Sequence, residues 1–348
     1  MIIFSPAFRG NPYDTEKTGL PQKSRARRKE ALMTDTGEKL PALKRILLLM
    51  TGAVILLLCL ALAGCSAREA AGESPEPEEA AERTGESEET GENAMKQEDT
   101  LDIRFLKCGK ADAIVLSCGG QTMVIDAGEE DDGEKLVSDL RAAGADHVDV
   151  LIITHFDKDH VGGADALLRE MEVGRVYLPD YEGAGTDYEE FTALAAEKEL
   201  QVTRLQEKTD FLLGSASVLI EPPASYEIGD SEDEYDNNFS LITTITHGEN
   251  TMVFMGDAEK DRIREWLSEG RNRTCDLIKV PHHGVYNKAL KELAEAAEAS
   301  YAVVTDSDKN PADQKTLSAF EEKGTRILST RSGTVSVLSS GSLLEISQ

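Results

Sequence analysis

Thr154-His155-Phe156-Asp157-Lys158-Asp159-His160-Val161-Gly162-Gly163 is the stretch that decides how this 348-residue chain is read. It follows the apolar run Val148–Thr154, the pattern of a strand buried on both faces. A strand end, a turn and a Gly-Gly entry into a helix splay several side chains towards one point. Four potential ligands, His155, Asp157, Asp159 and His160, stand within six residues. Mixed imidazole and carboxylate donors suit divalent zinc, manganese or iron. Two further strand ends carry the same chemistry. Met255-Gly256-Asp257 adds a carboxylate, and His282-His283-Gly284 adds imidazoles. Taken singly, His283, like His147 and His247, reads as an ordinary loop residue.

Outward from this stretch the pattern alternates between strands and helices. Leu101–Leu106, Ala113–Cys118 and Thr122–Ile125 read as short strands, and Gly133–Ala143 has helical character. Downstream come helices near Ala164–Glu172 and Tyr188–Glu199, with strands at Arg175–Leu178 and Val202–Leu205. Strands follow at Ser217–Glu221, Ser240–Thr246 and Thr251–Met255. The last third interleaves helices from Glu259, Lys288 and Gln314 with strands at Asp276–Val280 and Tyr301–Thr305, then hairpins at Gly333 and Gly341. The expected class is α/β (α+β), with sheets sandwiched between helical layers.

Together these pieces resemble the metallo-β-lactamase superfamily, and more narrowly the β-lactamase-like domain of ComEC-type competence proteins. The likeness runs from Ala111-Asp112-Ala113 and Ile125-Asp126-Ala127-Gly128 through the six-residue metal signature. It continues in Asn237-Asn238-Phe239-Ser240-Leu241, Gly256-Asp257-Ala258 and Lys279-Val280-Pro281-His282-His283-Gly284. It implies a four-layer αββα sandwich over residues 101–348 and one or two Zn²⁺ or Mn²⁺ ions per chain. His155, Asp157 and a bridging Asp257 would hold one ion; Asp159, His160, Asp257 and His282 the other. Asp159, His160 and Asp257 would carry catalysis through a metal-activated water. Asp112, Asp126, Asn237, Asn238 and His283 would stand behind the ligands or face the substrate. Asp157 replaces the usual second His and tilts the first position towards harder metals. The family's Asp-Val-Gly-Gln-Gly-Asp loop is here Lys107-Cys108-Gly109-Lys110-Ala111-Asp112, Val285 stands for a Ser, and a late His-Pro is missing.

Composition narrows the function. The chain carries 37 Lys and Arg against 65 Asp and Glu, net −28, and residues 101–348 alone carry 24 against 48, net −24. No broad basic face for nucleic acid is compatible with that balance. Lys44-Arg45 precede an apolar run, Ile46–Ala63, ending in Leu62-Ala63-Gly64-Cys65. This reads as a secretory signal within residues 1–64, and its ending resembles a bacterial lipobox with Cys65 as the lipidated residue. An uncleaved transmembrane helix is the competing reading, since 18 apolar residues lie near the lower limit for spanning. Residues 65–100, rich in Glu, Gly, Ser and Pro, read as an acidic disordered tether. Two functional classes follow. One is a membrane-anchored metal-dependent hydrolase of phosphodiester-type bonds, acting on a small molecule or nucleic acid. The other is a lipid-anchored non-catalytic metal-binding or accessory module, related to DNA uptake as the resemblance implies. Within the first class, a hydrolase of another ester or amide bond is the alternative.

Overall fold

The computed structural model describes residues 100–227 and 235–348. The expected signal, the Cys65 lipid site and the acidic tether lie outside the described residues. No helix among the described residues is long and apolar enough to cross a membrane.

The chain begins as an antiparallel meander of β1 (Leu101–Phe105), β2 (Ala113–Cys118) and β3 (Gln121–Ala127). Helix α1 (Gly133–Ala142) then crosses to β4 (His147–Ile152), which lies parallel to β3 as a helical crossover allows. The metal signature opens the one-turn helix α2 (Lys158–Val161). After it come α3 (Ala164–Glu170), β5 (Glu172–Pro179), α4 (Thr186–Glu197) and β6 (Gln201–Leu205), again with parallel pairing. A second sheet starts antiparallel with β7 (Thr209–Leu213) and β8 (Ala216–Glu221), then, past α5 (Tyr235–Asn238), β9 (Ile242–His247) and β10 (Asn250–Phe254). It extends in parallel as α6 (Lys260–Ser268), β11 (Leu277–Lys279), α7 (Ala289–Ala297), β12 (Tyr301–Val304), α8 (Gln314–Glu321) and β13 (Arg326–Ser329). Finally β14 (Val335–Ser339) and β15 (Leu344–Ser347) return to pair on β1.

The sheets have orders β15-β14-β1-β2-β3-β4-β5-β6 and β13-β12-β11-β10-β9-β8-β7. Their period-two alternation sorts side chains into three apolar layers. Ile103, Phe105, Val150 and Ile152 of the first sheet meet Val218, Ile245, Met252 and Phe254 of the second. Phe105 and Phe254 stack across that seam with ring centroids 5.8 Å apart. Leu151 and Ile153 point the other way, against Leu136, Leu140 and Leu167 of the first helical layer. Val253 and Ile278 do the same beneath Ile263, Trp266, Leu293 and Phe320. Helix, sheet, sheet, helix is therefore the layer order, the expected αββα sandwich. Each large side chain fully buried in it contributes about 1.5–3 kcal/mol.

Two expectations are corrected. Gly341 does sit in the β14–β15 hairpin, but Gly333 does not close one. The strand before Gly333, β13, belongs to the second sheet and the one after it, β14, to the first. Its turn therefore carries the chain between layers. In addition, β7 was not expected as a strand. It lies at the edge of its sheet; its burial alternates, but the apolar Leu212 stands on the outer face, 65 % exposed.

Candidate metal centre

Five strand ends converge at one edge of the seam. From the first sheet, β3 ends in Asp126-Ala127 and β4 runs into Thr154-His155 and α2. From the second, Asp257 follows β10, the His282-His283 turn follows β11, and Thr305 follows β12. Asp112 closes the β1–β2 loop. Its backbone N–H donates to the Asp159 carbonyl at 3.0 Å, which ties that loop to α2. The Gly-Gly pair lets α2 and α3 dock closely. A Cβ on Gly163 would come 2.3 Å from the Ala127 carbonyl oxygen, closer than any side chain tolerates.

Asp112, Asp126, His155, His160, Asp257, Lys279 and His283 are each 2 % exposed or less. So many buried polar groups need partners, and most of their polar atoms have them. Asp126, held at φ +57°, accepts the Thr154 N–H and hydroxyl, each at 2.7 Å. Its Oδ2 also takes the His160 Nδ1–H at 2.8 Å. His283 Nδ1 donates to the Thr305 carbonyl at 2.9 Å, and the Thr305 hydroxyl donates to Asp112 at 2.6 Å. With Nδ1 committed in both rings, Nε2 is left as the free donor atom. Nε2 of His155, His160 and His283 is buried without a hydrogen-bond partner.

Those three nitrogens surround Asp257. Its carboxylate lies 3.2 Å from His160 Nε2 and 3.1 Å from His283 Nε2. His283 Nε2 is also 3.5 Å from Asp159, and His155 Nε2 is 3.6 Å from the half-exposed Asp157. Three donor groups result: His155, His160 and Asp257; Asp159, His160 and His283; and Asp112, Asp126 and His160. The orphaned imidazole nitrogens, facing carboxylates with nothing else to bond, fit divalent cations.

His282 and His283 occupy different places. His282 Nδ1 is paired with Glu259 at 2.6 Å, which Asn287 also holds, and its Nε2 is 4.0 Å from Asp257. His283 is the imidazole turned into the cluster. Both residues have left-handed backbone (φ +49° and +51°), a conformation that costs about 1–2 kcal/mol for a non-glycine residue. Asn238 accepts the Arg262 N–H at the start of α6, and the buried Asn237 has an unpartnered Oδ1. His247 bonds Ser215 and Ser339, and His147 bonds Asp146. Neither histidine belongs to the three groups.

Lys279 is the residue that motif reasoning passed over as a site group. Its ammonium is fully buried, ion-paired with Asp112, and bonded to the Gly256 carbonyl at 3.0 Å, with Asp257 at 3.4 Å. Burial alone would lower its pKa, but Asp112 and Asp257 outweigh burial and raise it. For Asp257 burial works upward, and His283, His160 and Lys279 together hold it well below the usual carboxylate range. The signal for Lys279 was available. Leu277 faces the seam, so two residues on a strand lysine must face it as well.

A two-sheet sandwich with a His/Asp cluster at one edge of its seam defines a metal-binding hydrolase-type scaffold. The family model described as Metallo-beta-lactamase superfamily matches residues 106–304, and the chain belongs to that superfamily. It is 29 % identical over 211 residues to ComE operon protein 3 of Bacillus subtilis (strain 168), covering 58 % of this chain and 26 % of that protein. Recombination protein 2 of Haemophilus influenzae is 23 % identical over 161 residues, 46 % of this chain and 18 % of that protein. The chain thus spans about a quarter or less of the length of these curated relatives. Among solved structures, the metallo-beta-lactamase fold protein YhfI from Bacillus subtilis aligns with a TM-score of 0.45 at 13 % identity, covering 67 % of this chain and 98 % of that one.

Proposed function

We propose that the chain is an extracytoplasmic hydrolase of phosphodiester-type bonds, dependent on Zn²⁺ or Mn²⁺ and anchored to the membrane through a lipid on Cys65. The observation that carries this reading is the convergence of three partnerless buried imidazole nitrogens on Asp257. His155, Asp157 and Asp257 would hold one divalent ion, and Asp159, His160 and His283 a second, His160 serving only one because its Nδ1 is bonded to Asp126. Such ions, when bound, polarise a phosphoryl oxygen and make water nucleophilic near pH 7. The rest falls to the chain. Asp126 and Thr305 fix the ring orientations of His160 and His283. Lys279 offsets the charge of Asp112 and Asp257, keeping both carboxylates ionised inside the seam. The Lys44–Cys65 segment supports the anchored, exported location.

The test is metal content of the purified full chain, beside His160→Ala, together with hydrolysis of bis-p-nitrophenyl phosphate under added Zn²⁺ or Mn²⁺. One to two ions per chain, with metal-dependent turnover that the variant loses, is expected. A metal-loaded wild type without phosphodiester turnover under either ion would refute the substrate class.

A further inference from the structure

We propose that Lys110 is the anion-binding residue of this site, its ammonium taking a non-bridging oxygen of a phosphodiester monoanion beside Asp159. This rests on the hydrolase reading and adds to it the charge class of the substrate. Lys110 lies on the loop from Lys107 to Asp112, which is fixed along its length. Lys107 N–H donates to the Thr334 hydroxyl at 3.2 Å, and the Cys108 thiol donates to the Leu106 and Ala111 carbonyls. Asp112 N–H is bonded to the Asp159 carbonyl, and Gly109 supplies the φ of +77° that reverses the loop. Lys110 Nζ is thereby placed 3.8 Å from Asp159 Oδ2, with its side chain 29 % exposed. That separation is a charge contact rather than a hydrogen bond, so it does not use up the ammonium's three donors.

Accessibility and charge single this residue out. Among the described residues, the Lys or Arg side chains ion-paired with the cluster's carboxylates are Lys110 and Lys279. Lys279 is sealed in the seam, out of reach of a solute. Lys158, on α2, is turned to Glu129 instead. Lys110 therefore offers a positive charge that a solute can reach, the counterpart of the single negative charge of a phosphodiester. A neutral ester has no use for it. In a domain of net −24, an anion arriving without such a cation would be repelled.

The test uses the full chain, metal-loaded, as wild type, Lys110→Gln and Lys110→Arg. Steady-state kinetics on bis-p-nitrophenyl phosphate are compared with the neutral p-nitrophenyl acetate, and inorganic phosphate is titrated calorimetrically as a probe independent of turnover. In Lys110→Gln, KM for the phosphodiester and Kd for phosphate are expected to rise about tenfold, the size of one charge-assisted hydrogen bond. kcat, metal content and the neutral ester stay within about twofold, and Lys110→Arg restores binding. The dependence of KM on salt should flatten in Lys110→Gln. Unchanged phosphate affinity in that variant, or an equal loss on the neutral ester, overturns the proposal. If the wild type cleaves no phosphodiester, the hydrolase reading fails by itself. The phosphate titration then still decides whether Lys110 binds an anion.

Discussion

Lys279→Met removes a charge while keeping nearly the same side-chain length. In the native protein the Lys279 ammonium lies among Asp112, the Gly256 carbonyl and Asp257, and Lys279, Asp112 and Asp257 are each 2 % exposed or less. Substitution leaves two carboxylates buried with no cation between them. Breaking a buried ion pair from one side costs about 3–5 kcal/mol. A domain of this size shifts by about 2–4 °C for each kcal/mol, so the melting temperature should fall by roughly 6–20 °C. The measurement is calorimetric unfolding in chelator, repeated with saturating Zn²⁺ or Mn²⁺. A divalent ion bound at Asp257 supplies part of the missing charge, so the loss should be smaller with metal than without. A fall of under about 2 °C in chelator, or the same fall in both conditions, would refute the assignment of Lys279 as the fixed counter-charge of the centre.

Thr305→Val keeps the shape of a buried residue but deletes the donor to Asp112. Metal affinity is expected to drop about 10- to 100-fold as Asp112 loses the donor that fixes it, His283 keeping the Thr305 carbonyl, measured by competition with a chromophoric chelator. An unchanged affinity would mean that Thr305 positions nothing. Away from the centre, Glu221 is a buried carboxylate ion-paired with Lys208, Arg271 and Arg273 and bonded to the Trp266 indole N–H at 2.8 Å. Burial raises its pKa, but Lys208, Trp266 and Arg273 outweigh burial and lower it. Its contribution is therefore present above an unfolded pKa of about 4.3 and lost as the pH falls through the lower folded value. Glu221→Gln should cost about 3–5 kcal/mol at pH 7, with the gap from wild type closing below about pH 4. A gap in urea unfolding that is constant from pH 7 to pH 3 would rule out the ionised form as the stabilising one.

The layers were legible because apolar periodicity follows burial directly. Val148–Thr154, apolar but for Asp149 and Thr154, has the pattern typical of a strand covered on both faces, and the donors gathered where such strands end. What periodicity does not encode is backbone direction inside a turn. Nothing in Pro281-His282-His283-Gly284 tells which imidazole faces the His/Asp cluster. The answer comes from two successive left-handed residues held by the Thr305 carbonyl and Glu259. Strand β7 was missed for a related reason: an edge strand is covered on so little of its surface that its sequence need not alternate. Lys279 was legible from strand parity and was overlooked because a lysine at a seam position looks like an exception until its two carboxylate partners are placed.

The bond from Thr305 to Asp112 joins residues 193 positions apart, and the donors are divided between the two sheets. Each of the two proposed ions would take donors from both halves of the sandwich. The centre therefore comes into being only after the chain has been made as far as β12 and the seam has shut. Loop closure of that span is slow compared with forming the local β2–β3 hairpin. Metal uptake followed in time during refolding would thus act as a clock for closure of the sandwich, and the ion, once captured, as a latch across it.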